Sequence, residues 1–205
     1  MSEEDLGHEN SRPGFKYHTS KWDCNIIDLY EVIWDDLKGK DVSILEFGVF
    51  FGESLRYWKE FFGPESKIVG ADHCPVSARS PLAAENTKDF IVEICEQSST
   101  EGMKKIADKH GPFDLVIDDA QHHAPETEKT FRVFWKDVKP GGWYVIEDCT
   151  TPEMTELVHK LMAEITIEGE GKGVYFESFH GFNRPGGSSP TAFFKKSGNF
   201  TGLIR

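Results

Sequence analysis

Val42-Ser43-Ile44-Leu45-Glu46-Phe47-Gly48-Val49-Phe50-Phe51-Gly52 opens on a short apolar run and closes on two glycines. Such a run, bounded by glycine, reads as a buried strand over 42–45. The glycines let the chain turn tightly. Behind them Leu55, Trp58, Phe61 and Phe62 recur at helical spacing, and Gly63-Pro64 ends that helix. Strand, glycine turn and helix make the first half of a βαβ unit.

The alternation continues on both sides. Upstream, Ile26, Ile27, Tyr30, Ile33, Trp34 and Leu37 mark a helix with Asp23 as N-cap and Gly39 as stop signal. Downstream strands are expected over 67–71, 90–94, 113–117 and 143–146, the last entered through Pro140-Gly141-Gly142. Between them Met103, Ile106 and Ala107 mark one helix, capped near Ser99. Phe131, Phe134, Trp135 and Val138 mark another, and Met154, Leu157, Val158, Leu161, Met162 and Ile165 a third. The stretch 73–89 holds two prolines and little periodicity, and is expected to be mostly loop. Residues 174–179 and 191–194 read as two final strands without a helix between them, joined by a loop holding Pro185-Gly186-Gly187. The prediction is an α/β fold: a mostly parallel seven-stranded sheet, helices on both faces, and a C-terminal antiparallel β-hairpin. Residues 1–14 are polar and aperiodic, so a mobile N-terminal arm is expected ahead of a single domain over 15–205.

Bulk properties narrow the function. The 205 residues carry a formal net charge of −12, which argues against a general binder of nucleic-acid backbones. Cys24, Cys74, Cys95 and Cys149 lie far apart, with no Cys-x-x-Cys pair, a pattern of reduced thiols rather than a disulfide framework. Met1-Ser2-Glu3-Glu4-Asp5 is acidic where a secretory leader would be basic, and no apolar run approaches membrane-spanning length. A cytoplasmic protein without membrane partners is expected; a homo-oligomer is left open.

In an open α/β sheet, ligands bind beyond the carboxyl ends of the strands. The first strand is followed by Glu46, Gly48 and Gly52, and the second ends in Asp72, placed to hold the hydroxyls of a ribose. Dinucleotide enzymes usually show Gly-x-Gly-x-x-Gly here to receive a pyrophosphate. This turn has two glycines and a carboxylate, which suits a cationic ligand better. Gln97 follows the third strand. After the fourth comes Asp118-Asp119-Ala120-Gln121-His122-His123, and after the fifth Glu147-Asp148. Clustered carboxylates repel unless a cation neutralises them, and oxygen ligands without sulfur favour Mg²⁺ or Mn²⁺ over zinc.

Glu46-x-Gly48-x-x-x-Gly52, Asp72, Asp118-Asp119 and Lys139-Pro140-Gly141-Gly142 together resemble the class I S-adenosylmethionine-dependent methyltransferases, which have a Rossmann-like fold. More narrowly, Ile117 to His122 followed by Gly141 to Asp148 is similar to the Mg-dependent sugar O-methyltransferases of macrolide assembly. The stretch Leu45 to Trp58 resembles theirs too. The resemblance covers roughly residues 21–151. It implies Mg²⁺ held by Asp119, Glu147 and Asp148, with His122 as the general base. Glu46 and Asp118 would lie near the sulfonium and amino group of S-adenosylmethionine, beside Gly48 and Gly52. Asp72 would hold its ribose and Gln97 its adenine edge.

The implied reaction is methyl transfer to a sugar hydroxyl of a glycoside or glycan, such as a deoxysugar like rhamnose, with two vicinal hydroxyls on the metal. The alternative is a catechol- or phenol-type acceptor at the same metal site, where that family has Lys in place of His122. Two departures weaken the sugar assignment more than the reaction: Ala120-Gln121 replaces the usual Gly-Ser, and Asn25-Ile26-Ile27 replaces a His-Tyr element. His123 is expected to be a surface or outer residue. His18, His180, Asn183 and Arg184 could border an acceptor, whereas Trp22 and Trp143 are expected to pack.

Overall fold

The computed structural model describes residues 19–22, 24–177 and 189–198. The arm expected over 1–14, the cap Asp23, the loop with Pro185-Gly186-Gly187, and His18, His180, Asn183 and Arg184 lie outside the described residues. Among the described residues seven strands form one sheet: β1 (Ser43–Phe47), β2 (Lys67–Asp72), β3 (Ile91–Ile94), β4 (Phe113–Asp118), β5 (Val138–Ile146), β6 (Gly171–Phe176) and β7 (Thr191–Lys196). Their order is β3-β2-β1-β4-β5-β7-β6. The first five are parallel, and β7 runs antiparallel between β5 and β6. The doubly wound sheet with its antiparallel C-terminal pair therefore stands.

Among the described residues six α-helices cover the sheet: α1 (Ile26–Ile33), α2 (Glu53–Phe61), α3 (Pro81–Thr87), α4 (Thr100–His110), α5 (Ala124–Phe134) and α6 (Pro152–Ile167). On one face Met103, Phe131, Phe134, Leu157 and Leu161 close over Leu45, Phe47, Val116 and Tyr144. On the other, Ile27, Tyr30, Trp34, Leu55 and Trp58 close over Ile44, Leu115, Val145 and Phe193. That second face is largely aromatic: Tyr30 stacks on Trp34 at 4.4 Å and meets Trp58 and Phe193 edge-on. Each such pair contributes about 0.5–1.5 kcal/mol beyond its buried area.

Local rules explain most boundaries. Ser99 and Thr151 accept backbone N–H bonds from Gly102 and Met154, capping α4 and α6. Three expectations need correction. Helix α1 has Asn25, not Asp23, at its N-cap and ends at Ile33, with Asp35–Leu37 in a separate 3-10 turn. The segment 73–89 is not mostly loop: it forms a 3-10 turn (Val76–Ala78) and then α3, started by Ser80 as N-cap with Pro81 in the first turn. Val138 is not on the helix before β5 but is its first residue. There the chain leaves a short 3-10 turn and pairs beside Phe113 before a register shift. Among the described residues no helix is long and apolar enough to cross a membrane. Cys74, Cys95 and Cys149 are free thiols, the last two buried.

Candidate functional site

Strand order reverses between β1 and β4, so the crevice at their carboxyl ends is where this architecture accommodates ligands. Phe47 pairs with Asp118, and Asp118 with Ile146. Gly48, Asp119 and Glu147 therefore leave the sheet side by side. Beyond them lies a cavity of about 360 Å³ whose lining includes Gly48, Phe50, Asp72, Arg79, Gln97, Asp119 and His122.

The chain turns at Gly48 with φ +96°, and a Cβ there would stand 2.0 Å from the Asp119 carbonyl oxygen. The glycine is required by the close approach of the β4 loop as much as by any ligand. Gly52 caps α2 at φ +78° and faces Thr87 of α3 instead of the cavity. Gly48→Ala should combine left-handed strain with a backbone clash and lower unfolding stability by about 2–4 kcal/mol, as read by urea denaturation. Wild-type stability in that variant would mean that the two loops do not pack this closely.

Asp72 reaches the cavity at the end of β2 and is nearly buried. Its Oδ2 accepts from the backbone N–H groups of Val49 (3.0 Å) and Phe50 (3.2 Å), and Arg79 grips both carboxylate oxygens, at 3.0 and 2.7 Å. Burial would raise its pKa, but Arg79 and the two amides outweigh that and hold the carboxyl below its usual range. Gln97 lines the cavity too, but both ends of its amide are engaged. Nε2 donates to the two oxygens of Asp118 (2.8 and 3.0 Å), and Oε1 accepts from the Gln121 N–H. It braces the β4 loop and has little left for an adenine edge. Asp118 itself is buried beneath Gln97, and burial pushes its carboxyl up to about 8. Glu46 also departs from expectation. On β1 it points with Ile44 toward the α1–α2 face, where Ser54 Oγ (2.8 Å) and Trp58 Nε1 (3.1 Å) donate to its Oε2.

What lies on that face is a buried ion cluster. Lys21, on a 3-10 turn (Ser20–Trp22) ahead of α1, is only 4% exposed. Its Nζ stands 2.5 Å from Asp119 Oδ2, 2.7 Å from Glu147 Oε1 and 3.3 Å from Glu46 Oε1. Burial alone would depress the lysine pKa, but the three carboxylates reverse this and keep the ammonium charged. Glu147 is 2% exposed, and its Oε1 also accepts from the Tyr30 hydroxyl at 2.6 Å. Burial and Asp119 push Glu147 upward, partly offset by Lys21 and Tyr30. One ammonium faces three carboxylates, so the cluster has room for a further positive charge at its edge.

That edge faces the cavity. Asp119 Oδ1, His122 Nε2 and an Asp148 oxygen lie within 4.8 Å of one another. His122 Nε2 is 3.8 Å from Asp119 Oδ1 and 3.5 Å from Asp148 Oδ2. Asp148 Oδ1 accepts from the Ser189 hydroxyl, which orients it. Of the three acids expected around a metal, the structure gathers Asp119 and Asp148. It turns Glu147 inward, because Lys21 and Tyr30 hold it. Phe50, His122 and Asp148 all take positive φ (51–53°), a conformation non-glycine residues rarely adopt, so local strain of about 1–3 kcal/mol each is concentrated at these strand ends. His123 is turned away: its side chain is 67% exposed and bonds to Glu126 on α5. Trp22 packs edge-on against Tyr57, and Trp143 sits beneath Lys195.

Sequence reasoning missed Lys21, Tyr30 and Arg79. Only Tyr30 carried a signal, its polar tip on the apolar face of α1; a lysine ahead of that helix and an arginine in a supposed loop look like ordinary surface charges.

A family model described as a methyltransferase domain matches residues 45–149. The chain is 32% identical over 157 residues to an 8-demethyl-8-(2-methoxy-alpha-L-rhamnosyl)-tetracenomycin-C 3'-O-methyltransferase of Streptomyces olivaceus, covering 69% of this chain and 38% of that protein. It is 35% identical over 129 residues to the mycinamicin VI 2''-O-methyltransferase of Micromonospora griseorubida, covering 60% of this chain and 31% of that protein. Among solved structures, it is similar to the MycE methyltransferase from the mycinamycin biosynthetic pathway in complex with Mg and SAH. The TM-score is 0.63 at 26% identity, covering 87% of this chain and 50% of that one. The chain thus spans half or less of the length of these relatives.

Proposed function

Because the chain belongs to the methyltransferase-domain family through residues 45–149, we propose that it transfers a methyl group from S-adenosylmethionine to a sugar hydroxyl, assisted by Mg²⁺ or Mn²⁺. The observation that carries this reading is the meeting of Asp119, His122 and Asp148 beside a cavity that Asp72 also borders. Relatives named for O-methylation of a rhamnosyl tetracenomycin and of mycinamicin VI support a glycoside with vicinal hydroxyls as the acceptor.

The donor set fits a hard divalent cation. Oxygens of Asp119 and Asp148 lie within 4.8 Å of each other and of His122 Nε2, so the two acids would hold the ion and the imidazole would stand beside it as base. Mg²⁺ is commonly held by one or two carboxylates, with water or substrate filling the remaining positions, so Asp119 and Asp148 suffice. Such an ion, when bound, lowers the pKa of a coordinated hydroxyl. S-adenosylmethionine carries an already activated methyl group, so the protein's task is placement and removal of one proton. His122 takes that proton at Nε2 as the acceptor oxygen gains its methyl group. Asp72 accepts from the ribose hydroxyls once Arg79 yields one of its two bonds. Gly48 keeps the backbone of the β1 and β4 loops close enough to leave the cavity its shape.

The test is methyl transfer from labelled cofactor to a panel of glycosides, with and without chelator, beside calorimetry with S-adenosylhomocysteine and NAD. Label should enter a glycoside, disappear on chelation and return with Mg²⁺, and S-adenosylhomocysteine should bind where NAD does not. Binding of NAD alone would sink the methyl-transfer reading. Full turnover after exhaustive chelation would sink the metal.

A further inference from the structure

Resting on that reading, we infer that Lys21 is a positioning residue for the metal site: its buried ammonium claims Glu147 and one oxygen of Asp119, so that only Asp119 Oδ1 and Asp148 face the cation. The contacts divide the acids cleanly. Lys21 Nζ bridges Asp119 Oδ2 (2.5 Å) and Glu147 Oε1 (2.7 Å), so both oxygens already have a cationic partner. Glu147 could reach an ion on the cavity side only by giving up both Lys21 and the Tyr30 hydroxyl. That would leave an unpaired ammonium buried beside a divalent cation, with Coulomb repulsion poorly screened in the interior. Lys21 is locked in place by its own segment, since neighbouring Trp22 is 3% exposed and packs on Tyr57.

Lys21 and Glu147 therefore act as a self-neutralising pair behind the site. Asp119 is the hinge of the arrangement. One oxygen is fixed by the ammonium, and the other is aimed, with Asp148, at the position beside His122. In this arrangement the segment before α1 belongs to the active centre through the acids that Lys21 holds. It sets which acids bind the ion.

Titration with Mn²⁺ alone, followed by calorimetry and by the Mn²⁺ resonance signal, separates this from a merely structural role. Lys21→Met frees Glu147 and removes a repelling charge, so Mn²⁺ should bind at least about tenfold more tightly, while Lys21→Arg should stay within about threefold of wild type. The single Met variant leaves buried acids unpaired and could fail to fold. Lys21→Met combined with Glu147→Gln removes the pair without changing net charge, and should fold and bind Mn²⁺ within about threefold of wild type. A loss of about tenfold or more in the folded double variant would make Glu147 a ligand and overturn the inference, as would a folded Lys21→Met that binds no more tightly than wild type. A wild type that binds no Mn²⁺ would overturn the metal reading and this inference together, whereas the outcomes before it leave the metal reading standing.

Discussion

Replacing His122 by alanine should cut turnover by about 10²–10⁴-fold, the range expected for loss of a general base. Affinity for S-adenosylhomocysteine should stay within about threefold, because the carboxylate that would receive the ribose, Asp72, is held by Arg79 and two backbone amides and not by His122. His122 lines the cavity, and its Nε2 stands 3.5 Å from Asp148 Oδ2 and 3.8 Å from Asp119 Oδ1. An acceptor oxygen drawn to those carboxylates through a cation would come within reach of the imidazole. His123 is one residue further on and stands at the N-cap of α5, where its exposed ring bonds to Glu126. His123→Ala should therefore change turnover by no more than a few-fold. Steady-state rates and calorimetry on both variants check this. Near-normal turnover in His122→Ala with loss in His123→Ala would reverse the assignment, and the register of the loop after β4 with it.

The fold was legible because its signals are local. Parallel strands buried on both faces read as continuous apolar runs, and Ile44-Leu45, Val69 and Leu115-Val116-Ile117 do so. Helix α3 was also signalled, by Ser80 before Pro81, but its apolar content is thin: Ala83 is buried while Leu82 faces solvent. Periodicity failed there where capping chemistry would have succeeded.

The site was legible by position and less so by direction. Strand ends place Asp72, Asp119, His122 and Asp148 around one crevice, since that follows from topology. Which way each side chain turns depends on partners far away in the chain. Glu46 was expected beside the cofactor. Strand alternation puts it with Ile44, on the face opposite Leu45 and Phe47, where Ser54 and Trp58 meet it. Glu147 turns inward because of Lys21 and Tyr30, which lie 126 and 117 residues away. No motif spacing encodes such a contact. Gln97 lies at the predicted strand end, yet its amide is consumed by Asp118 and Gln121, a geometry visible only once the loops are folded together.

Asp148→Asn should weaken Mn²⁺ binding by about 10²-fold or more, exceeding the 10–100-fold typical for losing even an outer hydrogen-bond partner of a ligand. Turnover at a fixed, limiting metal concentration should fall in parallel and recover in part as the metal is raised. The reasoning is geometric and electrostatic. With Glu147 committed to Lys21, Asp148 is one of two acids whose oxygens flank His122 on the cavity side, so removing its charge halves the carboxylate donation. The substitution is isosteric and the residue only partly buried, so the fold should survive. An amide at 148 can keep the contact from the Ser189 hydroxyl through its carbonyl oxygen, preserving the loop. Cofactor affinity should be unchanged, because Asp72, the carboxylate that would receive the ribose, is held by Arg79 and the Val49 and Phe50 amides and not by Asp148. Metal titrations with wild type and Asp148→Asn, alongside cofactor calorimetry, give the comparison. Unaltered Mn²⁺ affinity in the folded variant would remove Asp148 from the ligands and overturn the pairing of Asp119 with Asp148 around the ion.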